Sequence, residues 1–500
     1  MSEIDATGVN QPTSPRRATG MSGLFPEPVL AALRAAPDQP AIEWGGVTVS
    51  RGELLMMVRR IAGGMSEVGL RRGMGVGMLL PLTPQAYAAH LAAYALGCRV
   101  AAARPAWAPE LLEFALKRLD IAVAVTEQVL IELLDSEPID VSPPLARPED
   151  PARLIFTSGS TGLPKACTHS YRAVSMAYQT EHWPESLTRL ETHFGRCLLH
   201  QSLAAPVMFT YLGRCLVAGG MAVFPEGPTG PELDLAKAIE QLRPTATMMH
   251  PGRLYEILQS DADLSSLEAL MLGGSPASPT LLRAAMDRLG PVVWQGYGQG
   301  EAGIISMLTP EQIAEGHDDT VGGLVPDVEL ELRYGVIHVR SPHMMDGYWD
   351  DIETTQGVLR DGWLNTQDVG FLDEDGLLHL VGRSRDVIMV NAEVCYAGAI
   401  EQVLASHPLV AQAFAVGAPD PMTGEAIHAF IMLSGDEKPA EEELRDLVRR
   451  RLSANSQPKT ITAISEVPLT AAGKPDKQSL LGDALATGTG QRRSGTTRQR

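Results

Sequence analysis

The sequence predicts an α/β protein: a large N-terminal domain of mainly parallel sheets and helices, followed by a small α+β unit. Three observations predict it. Strand-like apolar runs alternate with helical patterns through the first two thirds of the chain, which is how parallel sheets joined by helices read. From Val328 the texture changes to period-two alternation, and after about Arg385 it changes again to a compact mixture of helix and strand. The length of 500 residues also exceeds what one ordinary core serves.

Taken in order, VGMLLPL (76–82) reads as a strand and PQAYAAHLAAYALG (84–97) as a helix, with Pro near its start and Gly at its end. VAVTEQVLIELL, TATMMH, LEALMLGG and PVVWQGYG add further apolar runs that stop at Gly or polar residues. VELELRYGVIHVRS alternates at period two, and FLDEDGLLHLVGR predicts a hairpin around Asp375-Gly376. After GRSRD come AGAIEQVLASHP as a helix, VAQAFAVGA and HAFIMLSG as strands, and PAEEELRDLVRRRLS as a second helix. A domain boundary is expected near Arg385, giving units 21–384 and 385–484. Residues 1–20 and the basic tail 485–500 are expected to be disordered ends.

Composition narrows the function. A net charge of -19 argues against a general nucleic-acid binder, which needs a basic surface. Lysine is scarce: Lys117, Lys165, Lys237, Lys438, Lys459, Lys474 and Lys477 are all there are. Three of them, Lys165, Lys474 and Lys477, fall in the candidate stretches below. The five cysteines are scattered with no C-x-x-C, which favours a reducing compartment and offers no metal site. No apolar signal core opens the chain, and its most apolar stretch is broken by His90 and Arg99. The expectation is a cytoplasmic protein without a membrane partner.

Four stretches carry candidate chemistry. LIFTSGSTGLPKACTHS (154–170) sets four hydroxyls, two glycines and a lysine just after a strand. Successive N–H groups in such a loop cradle an anion, and hydroxyls with a Lys extend the cradle; it is not the Walker pattern, because Pro164 stands where the second Gly belongs. PVVWQGYGQGEAG (291–303) contains Gly298-x-Gly300-x-x-Gly303, a weak dinucleotide signal, and Glu301 there suits a metal that accompanies nucleotide phosphates. GWLNTQDVGFLDEDGLLHLVGRSRD holds Asp368, an acceptor for a ribose diol, and Arg383. PLTAAGKPDKQSL puts Lys474 on a Gly-containing turn near the end of the small unit. Each stretch has a bland alternative as a surface turn; their order is more telling.

FTSGSTGLPKA, YGQGE, GYWDDIETT, WLNTQDVGFLDEDG, GRSRD and LTAAGKPDK, in that order, resemble the adenylate-forming superfamily of acyl- and aryl-CoA synthetases, peptide-synthetase adenylation domains and luciferases. The resemblance runs from about Val47 to Lys477. It implies a mobile C-terminal domain with a hinge at Arg385, and ATP, Mg²⁺ and a small-molecule acid as ligands. It further implies that Thr157, Ser158, Gly159, Ser160, Thr161, Gly162 and Lys165 hold the ATP phosphates, and that Glu301 helps hold Mg²⁺. Gly274, Ser275 and Pro276, with Gln295, Gly296, Tyr297 and Gly298, would frame the adenine pocket and the floor of the acid pocket. Asp368 would bind the ribose, with Arg383 nearby, and Lys474 would swing in to meet the carboxylate and α-phosphate. Small Ala204 and Ala205, with Met208, Phe209, Tyr211 and Trp294 nearby, suit a flat aromatic acid.

The chain departs from the family pattern at several places. Gly300 replaces the usual Thr before the metal-binding Glu, and Thr366-Gln367-Asp368 replaces T-G-D. Ala204 or Ala205 stands where an aromatic or His is common. Asn391-Ala392 replaces a glycine pair that borders the pantetheine path in CoA ligases, which bears on ordinary thioester formation. Three acceptors therefore stay open: CoA or a carrier-protein thiol, an amine, or a divergent reaction with nitrite and an aryl amine as in ATP-dependent diazotases. Outside this class, an oxidoreductase rests on the single G-x-G-x-x-G. A nucleotide binder without turnover would not require Lys474 and Glu301, and no G-x-S-x-G supports an α/β-hydrolase.

Overall fold

A computed structural model describes residues 23–103, 109–157, 165–227, 229–435, 437–468, 476–477 and 479–481. The expected disordered ends, 1–20 and 485–500, lie outside these residues. The protein is α/β, with four sheets among the described residues.

A nine-stranded sheet runs from Gly323–Leu324 at one edge to Val47–Ser50 at the other. Its centre, from Val293–Gln299 to Pro40–Trp44, is parallel, and its outer pairs are antiparallel. A six-stranded sheet is parallel around Gly75–Met78 and ends in the antiparallel strands Pro151–Thr157, Lys165–Ser170 and Gly347–Tyr348. The parallel strands are short and buried on both faces, as Gly75–Met78, Ala246–Met249 and Ala269–Leu272 illustrate.

The helix Pro84–Ala95 lies in the largest apolar cluster, and every residue from Ala86 to Ala95 is buried. A helix apolar all round belongs in a core. Thr83 caps it, its Oγ1 accepting from Ala86 N at 3.1 Å, and Pro84 begins it. Its alanines let Tyr87, His90 and Tyr94 pack around Phe209, with ring centroids 5.5, 5.3 and 5.8 Å away, and Phe25 completes the cluster at 5.8 Å.

A third, antiparallel sheet carries the period-two segments. Glu329–Arg333 and Val336–Arg340 form a hairpin, and Trp363–Leu372 pairs with Leu378–Arg383 around Gly376, as the sequence predicts. The last sheet, from Val387 onward, has its own apolar cluster running from Ile388 to Ile461, packed with helices Ala397–Ala405 and Glu441–Arg451. Ser384 to Asp386 connect the two. Across the junction Tyr255 OH donates to Leu433 O at 2.8 Å and Gln402 Nε2 to Leu380 O at 2.9 Å. A Cβ on Gly398 would come within 2.9 Å of Gly382 Cα, so this contact needs glycine.

The hairpin of Val387–Val390 and Glu393–Tyr396 turns at Asn391 and Ala392, both left-handed at φ +52° and +61°. That is the backbone of a two-residue hairpin turn that favours Asn-Gly, and an alanine in the left-handed region costs about 1–2 kcal/mol. Asn455 clasps both flanks: its Oδ1 accepts from Asn391 Nδ2 at 2.8 Å and its Nδ2 donates to Glu393 Oε2 at 2.5 Å. Ala392→Gly is expected to stabilise the protein by about 1 kcal/mol. Scanning calorimetry would register this as a rise of a few degrees in the transition of the C-terminal unit; a fall would mean the turn is not strained.

Candidate active site

The site forms where hairpins from three sheets converge. In the six-stranded sheet, Thr157 pairs with Lys165 at the mouth of a hairpin. Residues 158–164 between them, and with them Ser158, Gly159, Ser160, Thr161 and Gly162, lie outside the described residues. Lys165 Nζ stands 5.2 Å above the ring of Tyr348, whose hydroxyl donates to Glu301 Oε1 at 3.0 Å. Ammonium, aromatic face and carboxylate thus follow one another along the rim. Beneath them Cys167 is fully buried, 3.9 Å from Thr157 Oγ1. Burial, and then the Glu301 charge, push its thiol up, which keeps it neutral.

Glu301 sits in the turn between Val293–Gln299 and Gly303–Leu308, which are antiparallel. No helix opens after this turn, so Gly298-x-Gly300-x-x-Gly303 is not a dinucleotide-binding fingerprint, and the oxidoreductase alternative loses its support. The glycines serve close approach. A Cβ on Gly298 would meet Gly303 O at 2.3 Å, and one on Gly300 would meet Thr157 Cγ2 at 2.8 Å. Any side chain at 300 must therefore turn the β-branched Thr157 at the end of its strand.

Asp368 is the best-held carboxylate. It lies on Trp363–Leu372 and is 6% exposed. Its Oδ2 accepts from Tyr297 OH at 2.6 Å and Gln299 Nε2 at 2.5 Å, and its Oδ1 accepts from Arg383 Nε at 3.1 Å. Burial and the Asp368 charge push the Tyr297 phenol well up, so it remains a donor. Gln367, in place of the usual glycine, is left-handed at φ +61°, and its N–H donates to Asn365 Oδ1 at 2.8 Å. This local kink turns Asp368 inward.

Gly274, Ser275 and Pro276 are exposed in the loop after the parallel strand Ala269–Leu272, where ligands of open α/β sheets bind. Gln295, expected beside the same pocket, is buried and braces this loop. It is 2% exposed, and its Oε1 accepts from Ala277 N at 2.8 Å, which holds that loop in place. Gly296 and Gly273 lie side by side below it, Gly296 O being 3.8 Å from a Cβ placed on Gly273.

The expected acid-pocket residues divide. Ala204 and Ala205 are half-buried just before the helix Pro206–Val217. Met208, Phe209 and Tyr211 point into the core, at 3, 3 and 8% exposure, and Phe209 is already enclosed by aromatic rings. Trp294 is also core; its Nε1 donates to Ser186 O at 3.2 Å. All four side chains are buried in the core. Lys474 lies outside the described residues. Lys477, three residues on, donates to Glu401 Oε1 at 2.6 Å.

The profile of the family described as AMP-binding enzyme matches residues 30–349, and that of the AMP-binding enzyme C-terminal domain matches residues 399–474. The chain belongs to the AMP-binding enzyme family. Among solved structures, this AMP-binding enzyme is similar to the amide bond synthetase McbA from Marinactinospora thermotolerans. The two are 33% identical with a TM-score of 0.79, over 90% of this chain and 98% of that one. Among curated proteins it is similar to feruloyl-CoA synthase of Amycolatopsis sp, 30% identical over 90% of this chain and 97% of that protein. It is also similar to the medium/long-chain-fatty-acid–CoA ligase FadD8 of Mycobacterium tuberculosis, 27% identical over 90% of this chain and 88% of that protein. It is thus a ligase of the acyl- and aryl-CoA synthetase kind. No helix among the described residues is long and apolar enough to cross a membrane.

Sequence reasoning missed Gln299, Tyr348 and Val207 in this AMP-binding enzyme. Period two from Tyr297 to Glu301 places Gln299 on the same side as both, a signal that was available. Tyr348 lies in GYWDDIETT, a motif quoted without a role for the tyrosine. Val207 is 54% exposed on the first turn of its helix, beside Ala204 and Ala205.

Proposed function

We propose that this AMP-binding enzyme joins a carboxylic acid, of aromatic type, to the α-phosphate of ATP and passes the resulting acyl group to a second substrate. A carboxylate oxygen attacks the α-phosphorus, the bond to the bridging oxygen breaks, and pyrophosphate leaves. A nucleophile then attacks the acyl carbonyl, AMP leaves, and the nucleophile's proton goes to solvent. The observation that carries this reading is the convergence of Lys165, Glu301 and Asp368 from three sheets on one rim.

The roles follow from chemistry. One anion attacks another, so charge must be neutralised in a water-poor place. Lys165, with Thr157 and Ser158 to Thr161, takes the β- and γ-phosphates, and Asp368 takes the ribose. Glu301 fits Mg²⁺, which keeps several waters and needs only one or two carboxylates beside substrate phosphates. No group of three or more metal-binding side chains exists among the described residues that would suit a caged metal instead. Bound there, Mg²⁺ would supply neutralisation of phosphate charge. Lys474, brought in as the unit from residue 385 turns on Ser384–Asp386, meets the α-phosphate and carboxylate and closes the site to water. Val207, Ala204 and Ala205 line a shallow acid pocket that a flat ring fills. All five cysteines are free and buried, which suits the cytoplasm, where ATP is at hand.

For the acceptor, CoA or a carrier thiol is the first reading, in keeping with the names of the curated relatives. An amine is the second, and one observation favours it: the exposed hairpin tip carries Ala392 where a glycine turn would border pantetheine. Similarity to McbA supports the same reading. Mass spectrometry of reactions with ATP, Mg²⁺ and a panel of aryl and alkyl acids tests both steps, with CoA, amines, or nitrite plus an aryl amine in parallel. AMP and a thioester support the first reading. AMP and an amide support the second. AMP release that requires nitrite makes the enzyme a diazotase, and no AMP with any acid overturns adenylation of a carboxylate.

A further inference from the structure

The hydrogen bonds of Gln299 extend beyond Asp368. Its Nε2 donates one hydrogen to Asp368 Oδ2 at 2.5 Å and the other to Thr366 O at 2.9 Å. Both partners are pure acceptors, so only the amide nitrogen can face them and the orientation of the side chain is fixed. Thr366 is itself anchored: its Oγ1 donates to Ile337 O at 2.7 Å and accepts from Asp368 N at 3.1 Å. Gln299 therefore spans the kink Thr366-Gln367-Asp368 from outside, tying its first residue to its last. The middle residue is left-handed without being glycine, so the kink is strained; Asn365 Oδ1 and Ser384 N hold Gln367 itself, and Gln299 adds the tie that fixes the Asp368 carboxylate.

The same bonds leave the carboxylate asymmetric. An ionised carboxylate offers about four acceptor positions. Tyr297 and Gln299 fill both positions on Oδ2, whereas Oδ1 receives only Arg383 among the described residues. One acceptor position remains, on Oδ1.

We propose that Gln299 is a positioning residue for the nucleotide: by tying Thr366 and Asp368 together it turns Asp368 Oδ1, with its remaining acceptor position, toward the ribose diol. This rests on the reading of Asp368 as the ribose acceptor. The asymmetry makes recognition unequal, so one of 2′-deoxy-ATP and 3′-deoxy-ATP is rejected more strongly than the other. Leucine at 299 releases Asp368 Oδ2, so the carboxylate can turn, and the preference goes with it.

The experiment compares the full-length protein with Gln299→Leu and Gln299→Glu. Calorimetric binding of AMP, 2′-deoxy-AMP and 3′-deoxy-AMP requires no acid substrate. Pyrophosphate release with ATP and the two deoxy-ATPs follows for the acid that turns over. The expected result is that Gln299→Leu weakens AMP binding and raises the KM for ATP about tenfold, the loss of one hydrogen bond to a charged group. Its kcat at saturating ATP and its KM for the acid stay within about twofold, and the discrimination between the deoxy nucleotides shrinks toward one. Gln299→Glu, of the same shape, sets a second anion against Asp368 and loses more. Wild-type protein that ignores AMP overturns the reading of Asp368 itself. Wild-type protein that discriminates, with Gln299→Leu discriminating equally well, overturns the role of Gln299 alone. A uniform fall in kcat with a lowered Tm and unchanged discrimination also overturns it, since that is how a merely structural residue behaves.

Discussion

Lys474→Ala is expected to slow formation of the acyl-adenylate by about 10²–10³-fold, because removing one preorganised group that neutralises developing charge costs about 2.7–4 kcal/mol. The physical reason is specific to the first step. In the proposed function, negative charge gathers on the α-phosphate and the attacking carboxylate together, and Lys165, beside Tyr348, is assigned to the other end of the triphosphate. Attack of a thiol or amine on the finished acyl-adenylate gathers its charge at the acyl carbon instead. Exchange of labelled pyrophosphate into ATP should therefore collapse in the variant. Product formation from supplied acyl-adenylate should stay within about tenfold of the wild type. Equal losses in both assays would overturn the assignment and place Lys474 among residues that merely hold the C-terminal unit together. With Asp368 as the proposed ribose acceptor, the variant should retain most of its nucleotide affinity, which separates a catalytic loss from a binding one.

The second large effect is on stability. Burial depresses His90, His200 and His343 to about 4, and burial with the nearby Arg153 charge depresses His169 to about 3. Each is neutral in the folded protein and ordinary in the unfolded chain, at about 6.5. The unfolded chain thus binds more protons below that pH. The stability each group contributes is present above about pH 6.5 and is lost as pH falls toward its folded value. Each buried imidazole adds up to about 1.4 kcal/mol per pH unit to the slope, and together they can exhaust a stability of about 5–15 kcal/mol. The protein should unfold cooperatively between about pH 6 and pH 4. Circular dichroism at fixed temperature against pH would follow it. Replacing His90, which makes one hydrogen bond to Ala86 O and packs on Phe209, by Gln should make the decline shallower. A Tm that stays flat from pH 7 to pH 4.5 would overturn this account.

The candidate stretches were legible in the sequence because their chemistry is local. A run of four hydroxyls, two glycines and Lys165 after an apolar run reads as an anion cradle at a strand end without reference to the rest of the fold. Phe209 shows where legibility ended. Residues of a helix turn by about 100° each, so Val207 and Phe209, two apart, face opposite ways. Without knowing how the helix Pro206–Val217 packs, a run of apolar residues cannot reveal which one meets the substrate. The structure turns Val207 outward and Phe209 into the aromatic cluster. The bond that Gln295 Oε1 accepts from Ala277 N was illegible for a related reason: it joins a strand to the loop after a neighbouring strand.

By itself the sequence determined the alternation of strands and helices, the change of texture near Arg385, the order of the motifs and, through that order, the family. These depend on periodicity and on residue types within short windows. Only the tertiary structure decided that Tyr297, Gln299 and Arg383 close on Asp368, and that Tyr348 joins Lys165 to Glu301. The contacts of Tyr297 and Gln299 with Asp368, and of Tyr348 with Glu301, pass between sheets, while Arg383 meets Asp368 and Tyr348 meets Lys165 across paired strands of one sheet; both depend on pairing and packing that no short window contains. The same holds for Gln367 and Ala392. Their side chains prefer right-handed or extended backbone, and it is the register of the surrounding hairpins that forces each into the left-handed region.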